Sequence, residues 1–323
     1  MKTRNTLGYG IVYFFKEYTV SVIIIAIFIT MSIITDTFLT ANNLANMIRV
    51  ASIIGIMACG MTFLMIYTGF DLSIGMIMSL IGLLGVTLEP VFGVGAAIFI
   101  GLVAGIGLGM ANGAILSVIK GGIGECFIIT LGMKSVLFGI GQIYSNGYEI
   151  RATGNELYTF LGKGDIGGIP FPIILFGIIA AVSHIILNNT GFGRKVFIIG
   201  GNRTAAHYAG IRTNWYRVVV FGISGLTAAI AGLVLSSRIS VGSARIGDGY
   251  EFDVIAAVVI GGTSLWGGEG SIIKTVLGVV LLSMITNALG LLGVPSQFQY
   301  IVKGAIIVVA VGLDLLKKSK GGK

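Results

Sequence analysis

The chain has 323 residues, of which 55% are hydrophobic and 11% charged, with a mean hydropathy of +0.98. A soluble protein of this size carries about 80 charged side chains, whereas this one has 21 basic and 13 acidic residues, too few to cover a water-facing surface. That excludes a soluble enzyme, a secreted disulfide scaffold and a disordered chain, and leaves an all-α polytopic membrane protein. The 51 glycines fit that class, since glycine is commoner in membrane helices than in soluble ones.

Crossing a hydrocarbon core of about 30 Å takes about 20 helical residues. Apolar runs of that kind lie at roughly 20–38, 48–67, 72–88, 91–118, 126–145, 169–188, 216–237, 252–265, 271–292 and 298–316, which predicts about ten transmembrane helices in one domain, 1–323. The run at 252–265 is short for a crossing and reads as a half-helix, so eight or nine full spans with re-entrant pieces stay open. The first run lacks a small-residue cleavage site and reads as a retained span. No strand-period alternation supports a membrane barrel.

An even number of spans puts both termini on one side. With a cytoplasmic N-terminus, Lys2, Arg4, Lys16, Lys120, Arg194, Lys195, Arg203, Arg212, Arg217, Lys274 and the C-terminal lysines gather inside, fourteen cations against seven elsewhere. Both termini are therefore expected in the cytoplasm. The net charge of +8 follows from topology and requires no nucleic acid. The loop 146–168 then lies outside, mixed in charge, with Pro170 and Pro172 placed to open the next helix.

Within the spans, Gly101, Gly105, Gly109 and Gly113 recur at every fourth position, a spacing that lets another helix backbone approach closely or opens a groove to a solute. Two apolar stretches are interrupted: Thr68-Gly69-Phe70-Asp71-Leu72-Ser73-Ile74-Gly75 and Gly261-Gly262-Thr263-Ser264-Leu265-Trp266-Gly267-Gly268-Glu269-Gly270. Unwound backbone at membrane depth survives only where protein or a water-filled cavity satisfies it, and paired interruptions in two halves point to a permeation path. Tight surface turns are the alternative. The residues expected along a path are Thr68, Asp71, Ser73, Asn112, Asp253, Thr263, Ser264 and Asn287. Asn112, Lys134, Gln142, Asn287 and Lys303, polar residues inside spans, serve equally as interhelical hydrogen-bonding groups.

The segment 189–217 is the longest predicted cytoplasmic loop. In it Asn202 is a good helix N-cap and Gly210 a good stop, which predicts a two-turn helix between them. Such a helix is too short to stand alone; a rod of this kind suits a protein that senses movement in an attached motor, and an ordinary ordered loop is the alternative. Cys59 and Cys126 lie in or beside apolar runs as inert thiols. His184 and His207 lack partners for a metal site. There is no phosphate-binding loop and no nucleophile–base pair, so the chain is expected neither to hydrolyse ATP nor to be an enzyme.

The stretch Gly60-Met61-Thr62 through Gly75 resembles the glycine-aspartate-leucine-serine signature of ribose-type ABC importer permeases, in the branched-chain amino acid/ribose permease superfamily. The run from Gly249-Tyr250-Glu251-Phe252-Asp253 to Gly261-Gly262-Thr263-Ser264-Leu265 is closer still, and Gly191-Phe192-Gly193-Arg194, Gly200-Gly201-Asn202 and Ala209-Gly210-Ile211 are similar to the family's cytoplasmic coupling segment. Asn287-Ala288-Leu289-Gly290-Leu291-Leu292-Gly293 and Ile301-Val302-Lys303 extend the likeness, which covers roughly residues 40–313 in order. The resemblance implies a multi-pass permease subunit in the bacterial cytoplasmic (inner) membrane that imports a monosaccharide or similar small solute. It implies as partners an ATP-binding subunit, an external solute-binding protein and a second permease copy or homologue, all in a lipid bilayer. No cofactor is expected in this chain, with ATP and Mg on the partner subunits. Gly201, Asn202, Arg203, Ala205, Ala206 and Gly210 would carry the coupling to the ATPase. Two positions depart from the pattern: Arg203-Thr204 replaces the usual Glu-Ala, and Phe138-Gly139 stands where relatives often have Arg before Gly. Import of branched-chain amino acids, an ion-driven secondary transporter and a passive channel are the competing readings.

Overall fold

The computed structural model describes residues 19–321; Lys2, Arg4, Lys16 and Lys323 of the expected cytoplasmic termini lie outside them. Every apolar run predicted from the sequence falls on a helix. Among the described residues seven helices are long and apolar enough to cross a membrane: α2 (Ala41–Ile66), α3 (Ile74–Phe92), α4 (Val94–Val118), α5 (Ile123–Tyr144), α7 (Phe171–Asn189), α10 (Thr213–Ile239) and α12 (Ile272–Leu291). Three more are apolar but shorter or mixed: α1 (Thr19–Ile34), α11 (Tyr250–Ile260) and α13 (Ser296–Gly321), whose apolar part is Ser296–Val309. The expected half-helix is α11, with 11 residues.

The core is built on α10, which packs most extensively on α4, then on α3 and α2. The glycine stripe explains that preference. Gly101, Gly105, Gly109 and Gly113 are all buried on α4, and they face Leu233, Ala229, Phe221 and Val218 of α10 in succession. A Cβ on Gly225 of α10 would run into the carbonyl oxygen of Gly105 and lie 3.1 Å from the Cα of Gly109. Without a hydrophobic effect in lipid, this backbone proximity is what holds the two helices together. The stripe is a packing seam. The outer faces of α4, α5 and α7 carry Phe99, Ile128, Ile143 and Ile178, large apolar side chains left exposed.

The segment 146–168 is more than a connector. β1 (Ile150–Arg151) pairs antiparallel with β4 (Val241–Gly242), and β2 (Asp165–Ile166) pairs with β3 (Ile169–Pro170) across a two-residue turn. Between them α6 (Glu156–Lys163) is capped by the Asn155 side chain. It docks on the end of α10 through the Tyr158 hydroxyl at 2.7 Å from Ser236 and Gly162 N at 2.9 Å from Ser237 Oγ. Burial pushes the Tyr158 phenol up to about 12, so it stays neutral. Two helices remain, α8 (Gly191–Gly201) and α9 (Arg203–Tyr208), both in the long connection between α7 and α10.

The seam yields the first prediction. Gly225→Val inserts a branched side chain where backbone already touches backbone, and overpacking of this kind costs about 1–3 kcal/mol or more. The melting temperature of the detergent-purified variant is expected to fall clearly. A value equal to wild type would mean that α4 and α10 do not approach as described.

Candidate functional site

Both interruptions are polar turns whose backbone bonds to protein groups, while the buried Thr263 hydroxyl of the second has no partner among the described residues. At the first, Thr68 N donates to Met65 O at 3.0 Å and Gly69 N to Leu64 O at 2.8 Å, closing α2. Asp71 opens α3: its Oδ1 accepts from Ser73 N at 2.8 Å and from Ser73 Oγ at 2.6 Å. Asn112 of α4 donates from Nδ2 to Asp71 Oδ2 at 3.1 Å and to Ser73 Oγ at 2.9 Å. All three side chains are buried. A buried carboxylate is tolerated only when its oxygens are hydrogen-bonded, and these are.

The second signature interlocks with the first. The chain dips inward after β4, and Gly247 N donates to Ser79 Oγ of α3 at 2.8 Å. A Cβ on Gly75 would collide with Gly247 O and with Glu251 Oε2, and one on Gly247 would collide with Gly75 O. Glycine is required at both places because the first turn of α3, the unwound backbone at Gly247 and a carboxylate share one site. Glu251, fully buried, is paired with Lys134 of α5, which also reaches Asp248 Oδ1 at 2.8 Å. Lys134 Nζ stands 5.7 Å from the Phe252 ring centroid, and the Arg245 guanidinium lies over Phe138 at 5.4 Å. Phe138, the residue that departs from the family pattern, thus faces a cation supplied by another segment. On the far side of α11, Asp253 pairs with Lys303 of α13 at 2.8 Å.

Past α11 the chain returns to the first break. Gly268 N donates to Ile66 O at 2.9 Å, and Thr68 Oγ1 donates to Gly200 O at 3.2 Å and to Trp266 O at 3.4 Å. A Cβ on Gly200 would strike Ile66 O. Three parts of the chain therefore meet at one joint: the end of α2, the turn after α11, and the end of α8.

From that joint α9 projects at once. Asn202 Oδ1 accepts from Ala205 N at 2.9 Å, and Gly210, at φ 79°, ends the turn as Ile211 N returns to Ala206 O at 3.1 Å. Ala206, 1% exposed, anchors the helix, while Thr204, Ala205, His207 and Tyr208 point outward. Arg203 turns back toward its own chain, donating to Gly121 O at 3.3 Å and to Asn214 Oδ1 at 3.1 Å. Burial pushes its guanidinium below the usual value, yet an arginine starts above about 12 and stays charged. Beneath it Arg217, buried, donates to Leu116 O and, at 2.7 Å, to Gly121 O, so it satisfies the carbonyls at the end of α4.

The eight residues expected along a path fall into separate groups. Asp71, Ser73 and Asn112 form one buried cluster; Thr68, Thr263 and Ser264 lie at or beside the joint of α2, α8 and the turn after α11; Asp253 is bound to Lys303. Asn287 exchanges amide hydrogen bonds with Asn43 at 2.8 and 3.2 Å, between α12 and the start of α2. The six residues expected to couple to the ATPase all lie on or beside α9. Sequence reasoning missed Asp248, Glu251 and Arg217, although a carboxylate in the first turn of an apolar helix was a signal for Glu251.

The sequence matches the family described as branched-chain amino acid transport system / permease component over residues 43–311. The chain belongs to that permease family. It is similar to the ribose import permease protein RbsC of Escherichia coli, 37% identical over 308 residues, 94% of each chain. It is also similar to RbsC of Bacillus subtilis, 38% identical over 297 residues and 90% of each chain. The xylose transport system permease protein XylH of Escherichia coli is 34% identical over 362 residues, 92% of this chain and 91% of that one. No solved structure matches the chain. As a family permease it is a multi-pass membrane protein and a transport component, not an enzyme.

The Lys134–Glu251 pair is testable by a double-mutant cycle. Lys134→Met strands a buried carboxylate and is expected to destabilise the purified permease by about 3 kcal/mol or more. Adding Glu251→Gln should restore most of that loss. Equal, additive losses in unfolding experiments would show that the two side chains do not interact.

Proposed function

We propose that this permease is the membrane subunit of an ATP-binding-cassette importer for a monosaccharide. It would work with ATP-binding subunits, an external solute-binding protein and a second permease copy or homologue in the bacterial inner membrane. The relatives named for ribose and xylose support the cargo class. The observation that carries the mechanism is the joint at Ile66, Thr68, Gly200 and Gly268, because it ties the exposed α9 directly to both breaks. An ATPase that closes on binding ATP would push α9, with Gly201, Asn202, Arg203, Ala205, Ala206 and Gly210 passing the motion on. Since Arg203 is bonded within its own chain, Thr204, His207 and Tyr208 are the groups left to meet the motor. Alternating access then follows as a shift between two states to which the partners bind unequally.

The sidedness of this reading rests on charge. The end of the bundle bearing α8, α9, Lys120 and Arg217 concentrates the cations, and the positive-inside rule makes it cytoplasmic. All ten apolar helices then alternate in direction, with α11 entering from mid-depth, and both termini face the cytoplasm. The β1–β4 ladder, α6 and the β2–β3 hairpin face outward, where a solute-loaded binding protein would land. The whole chain acts as one domain. Thr68, Asp71, Ser73, Asn112, Asp253, Thr263, Ser264 and Asn287 in this reading hold the helices that move around the path.

The permease reconstituted in vesicles with its ATPase and binding protein is expected to take up labelled ribose or xylose only when ATP is supplied. Uptake driven by an ion gradient without ATP, or uptake of leucine in place of sugar, would contradict the reading. In the same vesicles Gly210→Val, which forces a branched residue into a left-handed backbone conformation, should keep ATP hydrolysis and lose most uptake. Normal coupled transport by that variant would remove α9 from the mechanism.

A further inference from the structure

Lys134 lies halfway along the 22-residue α5, which places it near the bilayer midplane. Its bond to Asp248 brings the 243–249 segment to the same depth. The Asp248 side chain is 65% exposed there, and Arg245 and Phe252 are exposed beside it. Ionisable groups left open to acyl chains at that depth are strongly disfavoured, so such groups face a bundle interior or a water-filled cavity. The signs balance locally, Lys134 and Arg245 against Asp248 and Glu251, so the face attracts neither cation nor anion. Aromatic rings alternate with the charges along it: Phe138 against Arg245, and Phe252 under Lys134.

We propose that this exposed face, formed by α5 and residues 245–252, is the surface the solute touches as it crosses, and that its ligand is a neutral polyhydroxylated ring. The proposal rests on the importer reading and deepens it. Phe252 and Phe138 offer flat apolar faces to the C–H side of a sugar ring, while the Asp248 carboxylate accepts and the Lys134 ammonium donates hydrogen bonds to hydroxyls. Glu251, fully buried, does not touch the solute; it is a positioning residue that holds Lys134. Because the bonds are few and the face is exposed, the solute is passed along rather than stored, which suits a permease fed by a binding protein.

The test uses the complete transporter in vesicles. Cysteine is introduced by Asp248→Cys or Phe252→Cys; the native Cys59 and Cys126 are buried and stay silent. A charged, membrane-impermeant thiol reagent should modify both positions during ATP turnover and leave Phe99→Cys, at an apolar position of α4 that is 68% exposed, unmodified. Uptake of labelled pentose by Asp248→Asn and Phe252→Ala should fall about tenfold or more at equal amounts of assembled complex, while Phe99→Ala transports as wild type. The proposal is overturned if the reagent fails to reach positions 248 and 252 in complexes that are hydrolysing ATP, or if Asp248→Asn and Phe252→Ala both carry pentose at the wild-type rate. A wild type that takes up no pentose, while Asp248→Cys and Phe252→Cys are both modified, overturns the importer reading and the sugar ligand with it, although the face is then water-lined.

Discussion

Lipid offers no hydrogen bonds, and every feature of this permease that matters for transport follows from that. A helix satisfies its own backbone; an unwound segment has to borrow partners. Here the unwound segments borrow from the helix ends and turns packed against them. Gly247 N uses Ser79 Oγ, Gly268 N uses Ile66 O, Ser73 N uses Asp71, and Thr68 Oγ1 uses Gly200 O. None of these turns is independently stable at depth, so they hold or yield together.

That mutual dependence gives the molecule its mechanics. A displacement at α9 cannot leave Gly200 in place, and moving Gly200 disturbs Thr68 and Ile66, which in turn hold Gly268. At the other end of the same two breaks, Gly75 and Gly247 touch backbone to backbone, and Glu251 carries that contact to Lys134 on α5. The α4–α10 seam supplies the fixed frame against which the rest turns, because glycine packing of that density leaves no room to slide. A rigid pair with polar joints around it is what alternating access requires.

The sequence made much of the scaffold legible. Long apolar runs report helices because length and hydropathy are local properties, and all ten runs became helices. The stripe from Gly101 to Gly113 announced its seam by spacing alone, and Asn202 and Gly210 marked both ends of α9. What stayed hidden was partnership. Lys134 meets Glu251 across 117 positions, Asn112 meets Asp71 across 41, and Asn43 meets Asn287 across 244; no periodicity encodes such pairs. Polar residues near a break were therefore grouped by nearness in sequence, and the fold distributed them over four places. The segment 146–168 looked like linker because its helix and hairpin are only a few residues each, below the length at which pattern becomes signal.

The interlocking of the breaks is the central claim, and amide hydrogen exchange of the permease in a lipid nanodisc measures it directly. Peptides covering residues 66–75 and 245–270 are expected to exchange as slowly as the body of α10 at rest, and to speed up together when the ATPase partner turns over ATP. Exchange of those two stretches within seconds at rest, at the rate of an exposed loop, would show that their backbones are not held by one another and would contradict the account.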